Sequence, residues 1–205
     1  CSGLVGSEMC IRDRFLTWEH PLVTGAMEQI ANQQTGNSAA IAVRHPELKG
    51  GQLLLECLFV LESLAPRALQ AGRFLPPTLI RSLINSKGRQ LQQAISCESL
   101  TETAQQLQPQ QMLPVLQHYR PAIQSMLKQA ENAAQAEVPA RVASAVKQMM
   151  AELAAEIQRM TALKRHNPGV REEEIRLLQA QGNELERHLK QAGLRLDAVR
   201  LVVTL

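Results

Sequence analysis

Aromatic side chains are scarce in this sequence: Phe, Tyr and Trp together make up 2% of its 205 residues. So few rings disfavour the stacking platform on which RRM-type and OB-type domains hold bases. Long apolar runs are also missing. The longest run, at residues 53–61, is interrupted by Glu56 and is much shorter than the roughly 20 residues that cross a bilayer. The sequence therefore predicts no membrane partner.

Cysteine is sparse as well, and its four copies form neither a CxxC pair nor a dense framework. Outside the first fourteen residues only Cys57 and Cys97 remain. This usage favours a reduced, cytoplasmic protein, in which we expect both thiols to lie in the core. His20, His45 and Cys57 could be drawn together as a metal site, but no ligand spacing pairs them. We predict no metal ligand.

The sequence also lacks the common catalytic motifs. It contains no phosphate-binding GxxxxGK[ST] loop, no GxGxxG, no GxSxG and no HExxH, and its five histidines are scattered. The acidic run at residues 172–174 indicates the start of a helix rather than a carboxylate centre, because neighbouring residues on a first turn point in different directions. We predict no catalytic and no cofactor-binding residue in this chain.

The formal charge is +3, and the basic excess lies in the second half of the chain. Most of these residues fit solvated helix faces. One small basic cluster, at Lys164, Arg165 and His166, falls at a predicted turn between two helices. A solvated turn is the simpler interpretation, and contact with RNA or an acidic partner is the alternative. These three residues are our candidate partner contacts.

The first half of the chain has the periodicity of strands. After a short amphipathic helix predicted at residues 21–30, alternation at 38–44 predicts a strand. Residues 52–62 are apolar on both pleat faces, as in a central strand. Glu56 is the exception, and without a partner it should lie near an edge or opening. Residues 79–95 predict a hairpin of two strands that turns at 85–88.

The second half has the period of helices. Apolar residues recur every three or four positions from Val142 to Leu163 and again from Ile175 to Leu189, with a break at residues 165–170. The short break predicts an antiparallel helical hairpin within residues 110–192, and Pro139 predicts a kink or a fresh helix start. Alternation at 195–205 predicts a terminal strand that returns to the sheet.

These elements predict an α+β fold: a mainly antiparallel sheet, a long antiparallel helical hairpin and a C-terminal strand that rejoins the sheet. We expect one domain over residues 15–205, with its strand-rich part at 15–109.

The first fourteen residues need a different explanation. The stretch LVGSEMCIRD resembles the translation of a transposase-type sequencing-library adaptor. We expect residues 1–14 to be a non-native prefix that buries little.

Four stretches carry a family resemblance: FLTWEHPLV at 15–23, RFLPPT at 73–78, NPGVREEEI at 167–175 and AGLRLDAVRLVVT at 192–204. In order and spacing they resemble the C-terminal region of the RapA (HepA) family of bacterial RNA polymerase-associated, Swi/Snf-like ATPases. Residues 97–140 contribute little to this likeness. The resemblance implies a fragment of a larger ATP hydrolase, nucleoid-associated through RNA polymerase. The parent's ATP, magnesium and DNA or RNA sites would lie upstream of this chain.

Two function hypotheses follow. In the first, this region is an accessory part of a polymerase-bound translocase that promotes polymerase recycling in transcription, and it supplies position rather than chemistry. In the second, it is a free-standing helical-hairpin interaction module without catalytic activity. The motif matches favour the first hypothesis, whereas only the helical spacing and the missing catalytic motifs favour the second.

Overall fold

The computed structural model of the protein describes residues 38–107, 109–167 and 169–205. The predicted helix at 21–30 and the prefix 1–14 lie outside these residues. The described elements are β1 (Ser38–Val43), β2 (Leu53–Glu62), β3 (Thr78–Asn85), α1 (Cys97–Glu102), β4 (Ala104–Gln106), α2 (Pro109–Lys164), α3 (Glu172–Lys190) and β5 (Gly193–Thr204). Two 3-10 turns, Arg67–Leu69 and Ala71–Arg73, lie between β2 and β3, and we call residues 63–77 the connecting segment.

The five strands form one mixed sheet in the order β3-β2-β5-β1-β4. Strands β1 and β5 run parallel, whereas the other neighbouring pairs are antiparallel. The prediction of a mainly antiparallel sheet is therefore only roughly right. A parallel pair needs a long crossover connection, and here most of the chain separates the two strands. The predicted terminal strand does return to the sheet, and it takes the central position.

Strand β2 is an interior strand, as its two-sided apolar pattern predicts. Its odd-numbered side chains, from Leu53 to Leu61, point into the larger apolar cluster on the first face of the sheet. Leu54 points to the second face, where a smaller cluster includes Leu83 and Val202. Apolar contacts on both faces explain why β2 carries almost no polar residues.

The hairpin predicted at residues 79–95 is half wrong. Strand β3 forms, and the chain turns after Asn85, but the returning residues make only one bridge, between Ile84 and Gln90. Leu91 then donates its backbone N–H to the Leu83 carbonyl at 2.8 Å. Beyond that point the chain folds over the second face, where Ile95 is buried. Burial of this side chain competes with further strand pairing.

Helix α2 crosses the first face of the sheet and contacts β3, β2 and β5. Its buried residues recur mostly every three or four positions, as an amphipathic helix requires: Met112, Leu116, Ile123, Met126, Ala130, Ala134, Val138, Ala145 and Met149. With 56 residues and a rise of about 1.5 Å each, it is roughly 84 Å long. Neighbouring strands lie about 4.8 Å apart, so a sheet of five strands is much narrower than the helix is long. The helix therefore extends well past the sheet.

The prediction of a fresh helix start at Pro139 is wrong, because α2 continues through this proline and through Pro114 and Pro121. All three prolines are exposed. A proline frees the carbonyl four residues earlier, and the residues at those positions, Gln110, Gln117 and Gln135, are exposed as well. Water can satisfy those carbonyls, so a helix held by its opposite face tolerates the prolines.

Helix α3 packs against the C-terminal part of α2. Gly182 of α3 is buried and lies against Leu153 of α2, so that a Cβ at position 182 would meet the Leu153 Cδ2 atom. Nearer the turn, Lys164 pairs with Glu172. Among the described residues, no helix combines the length and apolar character needed to cross a membrane.

The two cysteines outside the first fourteen residues differ, which corrects the expectation that both lie in the core. Cys57 is buried in β2, whereas Cys97 is exposed at the start of α1. Burial, and secondarily the neighbouring Glu56 charge, raises the pKa of the Cys57 thiol well above its ordinary value. Cys57 is therefore an inert packing residue.

Candidate interaction surface

The basic cluster predicted from sequence lies at the turn between α2 and α3. Lys164 is the last residue of α2, and Arg165 and His166 follow it in an exposed turn. Lys164 pairs with Glu172, and its hydrogen bond lowers the pKa of the Glu172 carboxyl below the ordinary value. Part of the cluster's positive charge is therefore neutralised within the protein, and the exposed Arg165 carries the positive charge that remains.

The acidic run occupies the first turn of α3, as predicted from sequence. Its carboxylates lie next to the unpaired amides and the positive end of the helix dipole, where negative charge is stabilising. No side chain caps this end of the helix. The acidic run therefore stabilises the start of α3, and it also offsets part of the positive charge of the neighbouring basic turn.

A groove lies where the connecting segment, α2 and α3 meet, with a cavity of about 310 Å³. Apolar side chains from all three elements line it, together with a polar rim. The lining residues are Ala68, Leu69, Arg73, Phe74, Met149, Glu152, Leu153, Glu156, Leu178, Gln181, Gly182 and Leu185. A concave apolar floor with a few polar groups at its edge is typical of a binding site.

Gly182 helps to form this groove. Because it has no side chain, α3 can approach Leu153 of α2 closely, and the groove opens beside that contact. A glycine inside a helix costs about 1 kcal/mol relative to alanine. The close approach of the two helices explains why glycine occupies this position.

Polar contacts hold the connecting segment against the helices. Arg73 donates to Glu152 of α2 at 2.5 Å across the rim, and its guanidinium lies 5.4 Å from the centre of the Phe74 ring. Ser63 Oγ donates to the His188 carbonyl at 2.8 Å, and the His188 ring lies 3.0 Å from the Leu64 carbonyl. The Arg73–Glu152 pair is exposed, so a partner can replace it at little cost.

A second polar group of residues, which we call the Glu56 cluster, lies on the second face of the sheet. Glu56 is 3% exposed. Its Oε1 accepts from Arg81 Nε of β3 at 2.6 Å, and its Oε2 accepts from Arg200 Nε of β5 at 2.5 Å. Glu56 was expected near an edge or opening only if it had no partner, and here the neighbouring strands supply two cations to the buried carboxylate.

Both arginines of the Glu56 cluster also bind the chain that covers this face. Arg81 Nη1 donates to the Ile95 carbonyl at 2.6 Å, and Arg200 Nη1 donates to Thr101 Oγ1 at 3.2 Å. Burial by itself would lower the pKa of Arg200, but the hydrogen bond and charge of Glu56 outweigh it and raise that pKa. The cluster fixes three strands and the segment before β4 in one arrangement.

No described side chains form a metal site: within residues 38–107, 109–167 and 169–205, no three His, Cys, Asp or Glu residues are grouped to hold an ion. His45 follows β1 in a turn, and Cys57 lies inside the core. His20 falls outside the described residues. The two described members of the trio, His45 and Cys57, belong to no group of possible metal ligands.

The geometry defines a class of domain, an α+β domain in which a long helix crosses one face of a mixed sheet and pairs with a second helix. The family is then settled by comparison with known proteins. The chain belongs to the family described as RNA polymerase recycling family C-terminal, which matches residues 12–204. The resemblance stated from four short stretches is confirmed.

Curated relatives agree with this assignment. The chain is 37% identical over 190 residues to the RNA polymerase-associated protein RapA of Pseudomonas putida (strain W619). It is 38% identical to RapA of Pseudomonas aeruginosa (strain LESB58) and 36% identical to RapA of Stutzerimonas stutzeri (strain A1501). Each match covers 93% of this chain and 20% of the relative. The chain thus spans about a fifth of the relatives' length.

Sequence reasoning found the turn cluster but missed both the groove and the Glu56 cluster. Gly182 was the available signal for the groove, because an isolated glycine in a helical pattern often marks a close approach. For the Glu56 cluster, the signal was an arginine flanked by apolar residues in each of two strands, Arg81 in β3 and Arg200 in β5. Their pairing with Glu56 depends on strand order, which periodicity does not contain.

Proposed function

We propose that this region is a C-terminal accessory part of an RNA polymerase-associated, ATP-dependent translocase, and that it holds the motor against the polymerase during recycling. The family match over residues 12–204 carries the proposal, and the relatives' name, RNA polymerase-associated protein RapA, supports it. ATP and magnesium act in the upstream part of the parent protein, which also contacts DNA or RNA. This region positions the motor and performs no chemical step itself.

The groove is the proposed contact surface. Apolar side chains that line a concavity can bury a partner's side chain away from water, and a few such residues usually carry most of the binding energy of an interface. The exposed rim pair Arg73–Glu152 can exchange for contacts with the partner. The helices at the groove form an antiparallel hairpin, and its basic turn, at Lys164, Arg165 and His166, adds a salt-dependent contact with an acidic partner.

Replacing one groove residue should weaken polymerase binding. In the full-length protein, Leu178→Glu places a charge on the apolar floor, and we expect about a tenfold loss of affinity for RNA polymerase, equivalent to about 1.4 kcal/mol. Without polymerase, ATP turnover should not change, because the groove is not a catalytic site. Surface-binding kinetics and a phosphate-release assay measure the two quantities.

Leu177→Glu is the matched control, because Leu177 is the adjacent residue of α3, is 59% exposed and does not line the groove. It should bind polymerase normally. Equal affinities for the two variants would refute the groove as a contact.

Arg165→Glu tests the basic turn. The affinity of this variant for RNA polymerase should fall more at low salt than at high salt, because salt screens the interaction between exposed charges. If removing the whole region from a folded parent leaves polymerase association unchanged, the accessory role is wrong.

The region by itself should hydrolyse no ATP. The chain contains no phosphate-binding GxxxxGK[ST] loop, and P-loop ATPases hold their nucleotide with such a loop together with an acidic magnesium ligand. Phosphate release from the purified chain with ATP and magnesium should equal the blank, with and without DNA. Turnover that persists through a second purification step and follows the chain on gel filtration would contradict the motif argument.

A further inference from the structure

The groove beside Gly182 is small and largely apolar. Its volume of about 310 Å³ lies at the lower end of the range of about 300–1,000 Å³ in which proteins usually hold small molecules. Its floor includes Leu69 from the connecting segment, Met149 from α2 and Leu185 from α3. A concavity of this size and character suits the insertion of one or two apolar side chains from a protein partner.

Leu153 lies at the point where Gly182 and the groove meet. A Cβ at position 182 would overlap the Leu153 Cδ2 atom, whereas it would keep ordinary contacts with Cγ at 3.5 Å and Cδ1 at 3.9 Å. One methyl group of Leu153 therefore fills the space that the glycine leaves. Since Leu153 also lines the groove, the groove is the nearest open space into which this methyl group could rotate.

The rim of the groove carries more negative than positive groups. Among the lining residues, the carboxylates of Glu152 and Glu156 compare with one guanidinium, that of Arg73. Arg159 donates to both oxygens of Glu156, at 2.5 and 2.9 Å. The cation paired with Glu152 is Arg73, whose side chain is 63% exposed. Because the two carboxylates lie four residues apart on one helix face, where like charges repel, a cation from a partner is favoured at Glu152.

We infer that the groove receives a bulky apolar side chain of RNA polymerase that lies next to a lysine or arginine, and that Gly182 sets the depth available to it, an inference that rests on the proposed function. The apolar side chain packs on the floor beside Leu153, and the neighbouring cation pairs with Glu152 in place of Arg73. Glycine at position 182 keeps the Leu153 methyl group out of the groove. It thereby determines which partner side chains fit.

Two coupled substitutions in the full-length protein test the role of Gly182. Gly182→Ala should weaken binding to RNA polymerase about tenfold, because the displaced Leu153 methyl group takes the space of the partner's side chain. In a Leu153→Ala background the same substitution should change the affinity by less than about twofold, because alanine leaves room for the new Cβ. Gly193→Ala is the matched control, since a Cβ at position 193 would meet no described atom within 4 Å. Surface-binding kinetics measures each affinity.

An equal loss in the two backgrounds would show that Gly182 acts through the packing of α3 on α2, and the inference would be wrong. It would also be wrong if Gly182→Ala bound normally while Leu178→Glu lost affinity. Normal binding by Leu178→Glu would instead overturn the groove as a contact, and the proposed function with it. Circular dichroism checks that each variant is folded.

A variant outside the helix pair keeps the test decisive if Gly182→Ala does not fold. Ala68 lines the groove from the connecting segment and is exposed, so a larger side chain there fills the groove without changing the contact between α2 and α3. Ala68→Phe should also weaken binding about tenfold. Normal binding by this variant would contradict the insertion of a partner side chain.

Glu152→Gln tests the charge of the partner. Its affinity for RNA polymerase should fall about threefold to fivefold, and the loss should be smaller at high salt, as for an exposed ion pair. Glu137→Gln is the control, because Glu137 pairs with Arg141 on the same helix, is similarly exposed and lies outside the groove. A gain in affinity for Glu152→Gln would show that Arg73 binds an acidic partner, and an unchanged affinity would show that no cation binds there. Either result would overturn the inferred partner.

Discussion

Glu56→Gln should destabilise the domain by about 3–5 kcal/mol, the range expected when one partner of a buried ion pair is removed. The substitution preserves the shape of the side chain but removes its charge. Arg81 and Arg200, each with 18% of its side chain exposed, are then left as two half-buried cations next to each other. Urea denaturation followed by circular dichroism measures the loss, as a lower midpoint at constant slope.

Glu62→Gln is the matched control for this change. Glu62 lies on the same face of β2 and also pairs with an arginine, but 32% of its side chain and 50% of that of Arg195 are exposed. Exposed ion pairs typically contribute less than about 1 kcal/mol to stability. The free energy of unfolding of the control variant should therefore be close to that of the unchanged protein. Equal losses in the two variants would mean that burial does not set the strength of the Glu56 cluster.

Pro139→Ala should stabilise the protein by about 2 kcal/mol. A proline inside a helix costs about 3 kcal/mol relative to alanine, and about 1 kcal/mol of the gain is lost because the unfolded chain becomes freer. The new N–H can donate to the carbonyl of Gln135. Since Pro139 is exposed, no core contact is removed. The same denaturation experiment measures the gain.

Pro46→Ala separates the helical effect from the general effect of removing a proline. Pro46 follows His45 in a turn in which the Leu48 N–H donates to the His45 carbonyl at 3.0 Å. Proline suits this position of a turn, so its replacement should cost roughly 0.5 kcal/mol. A loss of stability in Pro139→Ala would show that a bend at this residue is needed for the burial of Val138.

Periodicity predicted the elements that depend on local pattern. The apolar residues of β2 and α3 follow periods of two and of three to four, and both elements form where the sequence places them. Pro139 predicted a kink or a fresh helix start when only the chain is considered, but α2 continues through it and through the other two prolines, Pro114 and Pro121. In the structure the packed face of the helix outweighs the propensity of these residues, since most of the stability of a protein helix comes from tertiary packing.

What periodicity could not predict is the relation between distant segments. The parallel pairing of β1 with β5 and the single bridge at Gln90 depend on which surfaces remain to be buried. The groove likewise forms from three segments that are far apart in sequence, of which Leu69, Met149 and Leu178 are examples. Sequence reasoning located the basic turn at residues 164–166 because its residues are consecutive, whereas a single residue such as Gly182 can signal a close approach but not the segments that meet there.

The position of β5 also affects how the protein is made. This strand is the last element of the described chain, yet it lies between β2 and β1. A ribosome adds residues from the N-terminus at about 5–20 per second, so both neighbouring strands leave the ribosome long before the strand that joins them. Until then each presents an unpaired edge rich in leucine or alanine, the kind of surface that pairs wrongly with other chains. Nascent chains that stop before Gly193 should therefore depend on chaperones, whereas chains that include β5 can close the sheet.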